Sequence, residues 1–343
     1  MREQANGARG VGRGKGRTAR ESPAHRVERH GAWGAALAAA TFALAGCAKT
    51  PVPAAAPPAP TPSAPALMPA GLNQPENLVY DSVADVFLVS NMGGGGSTHD
   101  DNGFISRVDP AGRVLELRWI AGGADGVQLD APKGLAIRGD TLAVADLGAV
   151  RLFDRRTGAP IRSIALPGLV MNDVAFGRDG SIWITDTGPA RTPAPVDTTH
   201  DLDALWEVSP SGTVRAVARG LPLSRPDGLV LDGSDALIAT FGANRIERVH
   251  GGSEQGRTIV QVMPGGRLDG LRRLRDGTLL VSSWDAQTVW SLVPGRPPRA
   301  LLTGVVSPAG IAVDTRRQRM AVTSMERNAL YVVPLGQRPD AAS

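Results

Sequence analysis

Hydrophobic and polar positions follow a repeat through most of the chain. A seven-residue segment recurs six times between residues 72 and 336, and its copies read PENLVYD, PKGLAIR, MNDVAFG, PDGLVLD, LDGLRRL and PAGIAVD. The polar or small residues at the second position of these copies are separated by 57, 39, 55, 42 and 40 residues. A repeat of this length is typical of a propeller or solenoid, in which each copy is one supersecondary unit.

Each copy is followed by further short strands with turn residues between them. The second strands read VFLVSN, TLAVAD, SIWITD, ALIATF, TLLVSS and RMAVTS, and the third read FISRVD, VRLFDR, ALWEVS, RIERVH, TVWSLV and ALYVVP. A fourth strand is visible in the first five copies, and the sixth copy runs out of chain after Leu335. The stretch from Leu67 to Leu72 is available to supply it, which would leave few open edges. We therefore predict an all-β, six-bladed β-propeller with four-stranded blades, spanning residues 72–336 and closed by pairing of its N- and C-terminal strands.

The repeat also predicts where functional side chains lie. Strands alternate in direction within a blade, so the starts of all inner strands and the loops between second and third strands emerge on one face. The second residues of the six copies should line the channel mouth there: Glu76, Lys133, Asn172, Asp227, Asp269 and Ala309. Two long loops should partly cover this ring: Met92–Asn102, which contains His99, and Thr187–Asp203, which contains His200.

Several carboxylates converging on a narrow channel repel one another, and a hard cation such as calcium or magnesium would stabilise them. The competing interpretation is structural, because Asp-Gly turns in propeller channels also serve as acceptors of backbone hydrogen bonds. Lys133 favours this second interpretation, since its ammonium group neutralises charge without a metal. Histidines in polar loops are most often solvated surface groups, so His99 and His200 are weaker catalytic candidates. Trp284 and Phe241 end second strands on the same face and either line an apolar pocket or serve packing.

The N-terminal segment has the features of a bacterial lipoprotein leader. Arg26 and Arg29 precede an apolar run from Trp33 to Ala45, which is too short to span a bilayer and ends in Leu-Ala-Gly-Cys at Cys47, the only cysteine. Eight prolines follow between residues 48 and 70, as in an extended tether. We predict a signal peptide over residues 1–46, a linker over 47–71 and a tail over 337–343. A lipid on Cys47 would anchor the protein to the membrane of the bacterial cell envelope, on its periplasmic or extracytoplasmic side.

Charge and composition narrow the range of partners. Residues 1–46 carry eight basic and three acidic side chains, whereas residues 47–343 carry 29 basic and 30 acidic ones. The high pI therefore belongs to the leader, and nucleic acid is not expected as a partner. A redox-cofactor propeller finds no support in a chain with a single cysteine and 4% aromatic residues. We expect a monomer that acts on a small molecule.

The strand starts resemble those of the senescence-marker-protein/gluconolactonase-like propellers, across essentially all of residues 72–336. The matching positions are Glu76 in Pro-Glu-Asn, Asn172 in Met-Asn-Asp, Asp227 in Pro-Asp-Gly and Asp269 in Leu-Asp-Gly. The resemblance implies that these four residues bind calcium or another divalent metal. It further implies that Asn172 contacts metal or substrate and that Asp269 is the catalytic base or nucleophile. The implied activity is metal-dependent hydrolysis of a lactone, ester or phosphoester.

Asp227 and Val170 depart from the family pattern. Many relatives carry asparagine at the position of Asp227, and the extra carboxylate there should raise metal affinity. Val170 stands where gluconolactonases carry an arginine that contacts the sugar acid, which argues against sugar-lactone specificity. Lys133 is either a substitute anchor for an anionic substrate or a structural counter-ion. A non-catalytic propeller that binds a ligand or partner protein at the same face is the alternative function.

Lipid attachment is directly testable. Cys47→Ser should leave uncleaved precursor or remove the protein from the detergent phase, because the thiol is the acylation site in the Leu-Ala-Gly-Cys sequence. Mass spectrometry of the N-terminal peptide and detergent partitioning measure this. An unchanged membrane fraction without lipid mass on the peptide would refute the assignment.

Overall fold

The computed structural model describes residues 67–69, 71–188, 202–251 and 256–335. The predicted leader, Cys47, most of the linker, the tail and His200 lie outside the described residues. Within the described part of the chain, no helix is long and apolar enough to cross a membrane.

The described chain is built almost entirely from β-strands of three to 17 residues. The first strands are β1 (Leu67–Pro69), β2 (Pro75–Asp81), β3 (Val86–Asn91), β4 (Phe104–Val108), β5 (Val114–Ala121), β6 (Leu135–Arg138), β7 (Thr141–Asp154), β8 (Pro160–Phe176), β9 (Ile182–Asp186), β10 (Ala204–Val208) and β11 (Val214–Arg219). A short 3₁₀ helix spans Leu221–Leu223. The remaining strands are β12 (Pro226–Asp232), β13 (Asp235–Thr240), β14 (Arg245–Val249), β15 (Arg257–Val262), β16 (Leu268–Arg273), β17 (Leu279–Ser283), β18 (Thr288–Leu292), β19 (Arg299–Thr303), β20 (Pro308–Asp314), β21 (Arg319–Ser324) and β22 (Ala329–Pro334).

These strands form antiparallel sheets, and the prediction of six four-stranded blades is wrong. The described strands make five sheets, four of four strands and one of six, in which β6 to β11 follow one another in order. The physical reason lies in β7 and β8. The turn expected near Gly148 does not interrupt β7, and β8 pairs with β7 through its first part and with β9 through its second. The segments expected as a second and a third blade are therefore one sheet.

The repeated segments nevertheless surround a single axis. The strands β2, β6, β8, β12, β16 and β20 each contact the next, and β20 returns to contact β2. This closed ring of inner strands makes the domain an all-β propeller. The second residues of the repeated segments lie at one end of this closed ring, near the start of β2, β12, β16 and β20, two residues before β6 and within β8.

Closure of the ring uses both ends of the chain. Strand β1 pairs antiparallel with β22, with Leu67 opposite Tyr331 and Pro69 opposite Ala329. The sheet formed by β20, β21 and β22 thus gains its outer strand from a segment about 260 residues earlier in the chain. As the sequence predicts, no strand is left unpaired at this junction.

Apolar side chains fill the spaces between neighbouring sheets. Between the first sheet and the six-stranded sheet, the buried cluster includes Leu88, Ile105, Leu135 and Phe153. Similar clusters lie at the other sheet contacts, and one of them joins Phe87 of the first sheet to residues of β20, β21 and β22. The alternation of apolar residues in the second and third strands places one face of each sheet against its neighbour.

Close backbone contact narrows the channel just below the ring. A Cβ atom on Gly228 would lie 2.3 Å from the Asp269 carbonyl oxygen, and one on Gly310 would lie 2.5 Å from the Asn77 Cα. Glycine at these positions allows neighbouring inner strands to approach. The sequence analysis assigned no role to the residue that follows each ring position.

A polar plug closes the channel at this level. Asn77 Nδ2 donates to Asp173 Oδ1 at 3.3 Å, and Arg272 NH2 donates to Asn77 Oδ1 at 3.0 Å. The Arg272 guanidinium also donates to the Ile311 carbonyl at 2.7 Å and lies 3.8 Å from Asp173 Oδ2. Burial raises the pKa of the Asp173 carboxyl, and the Arg272 charge opposes that rise. One arginine of β16 thus contacts three other sheets across the axis.

The plug separates two ends of different character. A cavity of about 500 Å³ opens at the far ends of the inner strands and is lined in part by Arg272, Tyr80 and Leu335. The ring residues lie at the opposite ends of the same strands.

Removing the plug arginine should destabilise the fold. Arg272→Met leaves Asp173 ionised and buried without its cation, and breaking a buried charge pair costs about 3–5 kcal/mol. We expect a loss near the lower end because the Arg272 side chain is 21% exposed. The loss should shrink as the pH falls, because protonation of Asp173 removes the uncompensated charge.

Denaturant unfolding at pH 8 and pH 5 measures both effects. The neighbouring Arg273→Met is the matched control, since the Arg273 side chain is 36% exposed and pairs with Asp232 at the surface. Equal free energies of unfolding for the two variants would contradict a central role for Arg272.

Candidate functional site

Three buried carboxylates meet at the start of the inner strands. Glu76 in β2, Asp227 in β12 and Asp269 in β16 each offer a carboxylate oxygen, and these oxygens all lie within 4.8 Å of one another. The three residues are only 4–6% exposed. They come from three different sheets and from three positions that the repeat singles out.

A β-bulge presents each of these side chains to the axis. The pairing register shifts between Pro75 and Leu78 in β2, between Pro226 and Leu229 in β12, and between Leu268 and Leu271 in β16. Two inner-strand residues therefore oppose one residue of the second strand, and the ring residue is the first of the two. A bulge of this kind re-aims a side chain that would otherwise follow the pleat.

Hydroxyl groups opposite the bulges connect one ring position to the next. Thr185 Oγ1 donates to the Asp227 carbonyl at 2.6 Å, Ser282 Oγ to the Ala309 carbonyl at 2.7 Å, and Thr323 Oγ1 to the Glu76 carbonyl at 2.9 Å. The sequence analysis missed these residues. Their signal is a serine or threonine near the end of the second strand, as in SIWITD, TLLVSS and RMAVTS.

Asn172 adds an amide oxygen to the cluster. Its Nδ2 donates to Asp227 Oδ2 at 2.9 Å and to Thr187 Oγ1 at 2.8 Å, while the Thr187 hydroxyl donates to the Pro226 carbonyl. Because Thr187 already uses its proton, it must accept from Asn172, and this assigns the amide orientation. Both amide protons of Asn172 are therefore used, and Oδ1 remains.

Two buried oxygens of the ring have no hydrogen-bond partner in the described structure, namely Glu76 Oε2 and Asn172 Oδ1. A buried acceptor without a partner costs about 1–3 kcal/mol, so such atoms require an explanation. Oxygen donors from carboxylates and an amide are the ligands that calcium and magnesium prefer. The residues present therefore fit a divalent cation held by Glu76, Asn172, Asp227 and Asp269.

The pKa values of the three carboxyl groups also favour a divalent cation at this position. Burial raises the pKa of each of the three carboxyl groups well above its ordinary value. Mutual repulsion adds to the effect: Asp227 raises the pKa of Glu76, Asp269 that of Asp227, and Glu76 that of Asp269. A cation would relieve this repulsion and return the groups to their ionised forms.

Lys133 lies in the ring without a direct ion pair to these carboxylates among the described contacts. Its Nζ donates to the Gly96 carbonyl at 3.0 Å and the Ala131 carbonyl at 3.3 Å, and contacts Met92 Sδ at 3.2 Å. Burial lowers the pKa of Lys133, and Glu76 is the strongest charge opposing this. Lys133 therefore connects the acidic ring to the glycine-rich loop that begins at Met92.

The other predicted positions have varied surroundings. Ala309 is fully buried and offers no ligand atom. His99 is 68% exposed, and its Nδ1 lies 3.0 Å from Oδ2 of the buried Asp130, a contact that fastens the loop. Phe241 and Trp284 do come together, with ring centroids 5.3 Å apart at an interplanar angle of 83°. Trp284 Nε1 also donates to Asp269 Oδ2 at 3.0 Å, a bond that the sequence analysis did not anticipate.

Solved structures with a similar fold are numerous, although neither a family model nor a curated protein sequence matches the chain. A presumed gluconolactonase aligns over 80% of this chain and 93% of its own, with a TM-score of 0.57 and 16% identity. A gluconolactonase of Xanthomonas campestris aligns over 79% and 98%, with a TM-score of 0.50 and 22% identity. The virginiamycin B lyase of Staphylococcus aureus aligns over 78% and 98%, with a TM-score of 0.53 and 14% identity.

The chain has the propeller fold of these proteins. Their names include both lactonases and a lyase, so the shared fold does not choose a reaction. The reaction must therefore be inferred from the side chains of the ring.

Neutralising one ring carboxylate should have opposite effects without and with metal. In chelator at pH 8, Asp227→Asn should raise the melting temperature, because ionising a carboxyl whose pKa is raised in the fold costs stability. That cost arises as the pH rises above the ordinary range of an aspartate, so the gain should vanish toward pH 4. With calcium present the variant should be the less stable protein, since it binds the cation more weakly.

Thermal unfolding across this pH range provides the measurement. Asp125→Asn makes the same chemical change at an exposed turn residue with a positive φ and should alter little. An Asp227→Asn variant that is less stable than wild type in chelator at every pH would contradict the assignment.

Proposed function

We propose that the ring binds a divalent cation, with calcium as the first candidate, and that the protein is a hydrolase of a lactone or another ester at that site. The observation that most directly supports this proposal is the pair of unpartnered oxygens, Glu76 Oε2 and Asn172 Oδ1. They belong to the ring in which oxygens of three carboxylates lie within 4.8 Å of one another. The same residues match the metal-binding positions of the gluconolactonase-like propellers, and a gluconolactonase is among the proteins of similar fold.

The proposed cation would supply Lewis-acid polarisation of the substrate carbonyl oxygen. Asp269 is the proposed general base. Its Oδ2 accepts the Trp284 indole proton, which fixes the plane of the carboxylate. Removal of a proton from water by Asp269 accompanies attack of that water on the carbonyl carbon. The same group then returns the proton to the leaving oxygen as the acyl C–O bond breaks, so that lactone and water yield a hydroxy acid.

Lys133 has a supporting part in this proposal. Its three described contacts are with the loop and with the Ala131 carbonyl, and its charge opposes the repulsion among the carboxylates. We assign it the role of counter-ion and loop anchor, so Lys133→Met should raise metal affinity. A raised KM with unchanged metal affinity would instead identify Lys133 as an anchor for an anionic substrate.

The decisive test uses Asp269→Asn with metal analysis and a panel of lactones and esters. The asparagine keeps an oxygen ligand but cannot accept the proton, so we expect kcat to fall about 100-fold or more while metal binding weakens only in part. Asp125→Asn is again the matched control.

Each outcome of this experiment has a definite meaning. Turnover retained in Asp269→Asn would refute the catalytic assignment even if the metal is present. Metal binding without hydrolysis of any panel member would favour the non-catalytic, ligand-binding propeller. Identical melting curves in chelator and in calcium would refute the metal site itself.

A further inference from the structure

A second set of equivalent residues borders the acidic ring. These residues follow the second strands, and the backbone N–H of each donates to the carbonyl of the residue two before a ring position. The pairs are Met92 with Gln74, Thr187 with Val170, Phe241 with Arg225, Trp284 with Arg267 and Met325 with Ser307, at 2.9–3.1 Å. Leu147 pairs with Val170 in the strand register and occupies the corresponding place beside β6. Thr187 is the polar member of this set of six.

The apolar members form two surfaces on the border. One surface comprises Met92, Ala131 and Leu147, with the partly exposed Val170 and Met325 packed against them. It lies beside the ring position Lys133, whose Nζ contacts Met92 Sδ.

The other surface is the edge-to-face pair of Phe241 and Trp284, both partly exposed. It meets the ring through the hydrogen bond from Trp284 to Asp269. Arg225 lies with its guanidinium carbon 5.0 Å from the Phe241 ring centroid, and Arg267 lies 5.4 Å from that of Trp284. These contacts with the arginines hold the two aromatic side chains at the edge of the acidic ring.

The five border residues other than Thr187 are poorly suited to bind a substrate covered with hydroxyl groups. Methionine, leucine, valine and phenylalanine side chains offer no strong hydrogen-bond partner, and an unsatisfied polar group costs about 1–3 kcal/mol when it leaves water. Binding sites for small molecules combine apolar walls with a few convergent polar groups, and the ring with its two apolar surfaces has that composition.

We infer that Phe241 and Trp284 determine substrate specificity, together with the surface formed by Met92, Ala131, Leu147, Val170 and Met325. These residues select a lactone or ester with an apolar alkyl or aryl substituent beside its reacting carbonyl. This inference rests on the proposed hydrolase function and adds its substrate class. The apolar substituent lies against the aromatic pair while the carbonyl lies over the carboxylates. A sugar lactone lacks the first of these contacts.

The test compares three δ-lactones with the same six-membered ring: glucono-δ-lactone, δ-valerolactone and the same ring with a pentyl substituent. With calcium, wild type should have the highest kcat/KM for the pentyl lactone. Phe241→Ala should lower that value about 10–200-fold, the range for lost apolar contact in a pocket, and should affect δ-valerolactone far less. Ile259→Ala on the outer strand β15 is the matched control, because Ile259 is 60% exposed and lies outside the border.

Folding and function are kept separate by two additional measurements. Phe241→Leu retains an apolar side chain and should retain most of the preference for the pentyl lactone. If Phe241→Ala merely misfolds, its melting curve and its comparison with Phe241→Leu will show this. If wild type hydrolyses none of the lactones, the hydrolase proposal fails, and direct calorimetric binding of the pentyl-substituted δ-lactam decides the specificity inference. Binding that weakens at least about 10-fold in Phe241→Ala supports it.

The opposite results overturn the inference. They are equal or greater kcat/KM for glucono-δ-lactone, an equal loss for all three lactones in Phe241→Ala, or lactam binding that is absent or unchanged by the substitution. The first two leave the hydrolase proposal standing.

Discussion

The geometry of the candidate site depends on how closely six inner strands approach one axis. Glycines at Gly228 and Gly310 permit contacts that a Cβ atom would block, and Arg272 bridges the strands just below the ring. With the strands this close, side chains at the bulged positions cannot avoid one another. The proximity of Glu76, Asp227 and Asp269 is therefore imposed by the packing of the whole propeller, and their ionised forms repel one another wherever no cation lies between them.

The packing that brings the ring carboxylates together lowers the stability of the fold and also makes these groups available to a ligand. Buried carboxylates with raised pKa values destabilise a protein in which they are merely structural. Here the cost falls on Glu76, Asp227 and Asp269, which lie in the same ring as the unpartnered oxygens Glu76 Oε2 and Asn172 Oδ1. The well-paired Asp173 lies one layer deeper, with Arg272 and backbone donors. The contrast between these two layers separates groups that serve the fold from groups available to a ligand.

Much of the site was predictable because a repeat of about 40–57 residues marks equivalent positions directly in the sequence. The strand starts identify Glu76, Asp227 and Asp269, and the late apolar residues of the second strands identify Phe241 and Trp284. The sheet count was not predictable in the same way. Whether Gly148 ends a strand, or whether β8 continues past Val170, depends on hydrogen bonds between strands rather than on the apolar pattern. The plug was missed because Arg272 reads as a surface residue of an alternating strand, and only the narrow channel makes it central.

The pairing of β1 with β22 determines when the propeller can close during folding. Leu67 pairs with Tyr331, about 260 residues later in the chain, so the last sheet cannot be completed until nearly all of the described chain is present. Contacts between such distant residues slow folding, because a long loop must close before they form. The other sheets can therefore form before the propeller closes, and closure should be a late step in the folding of the domain.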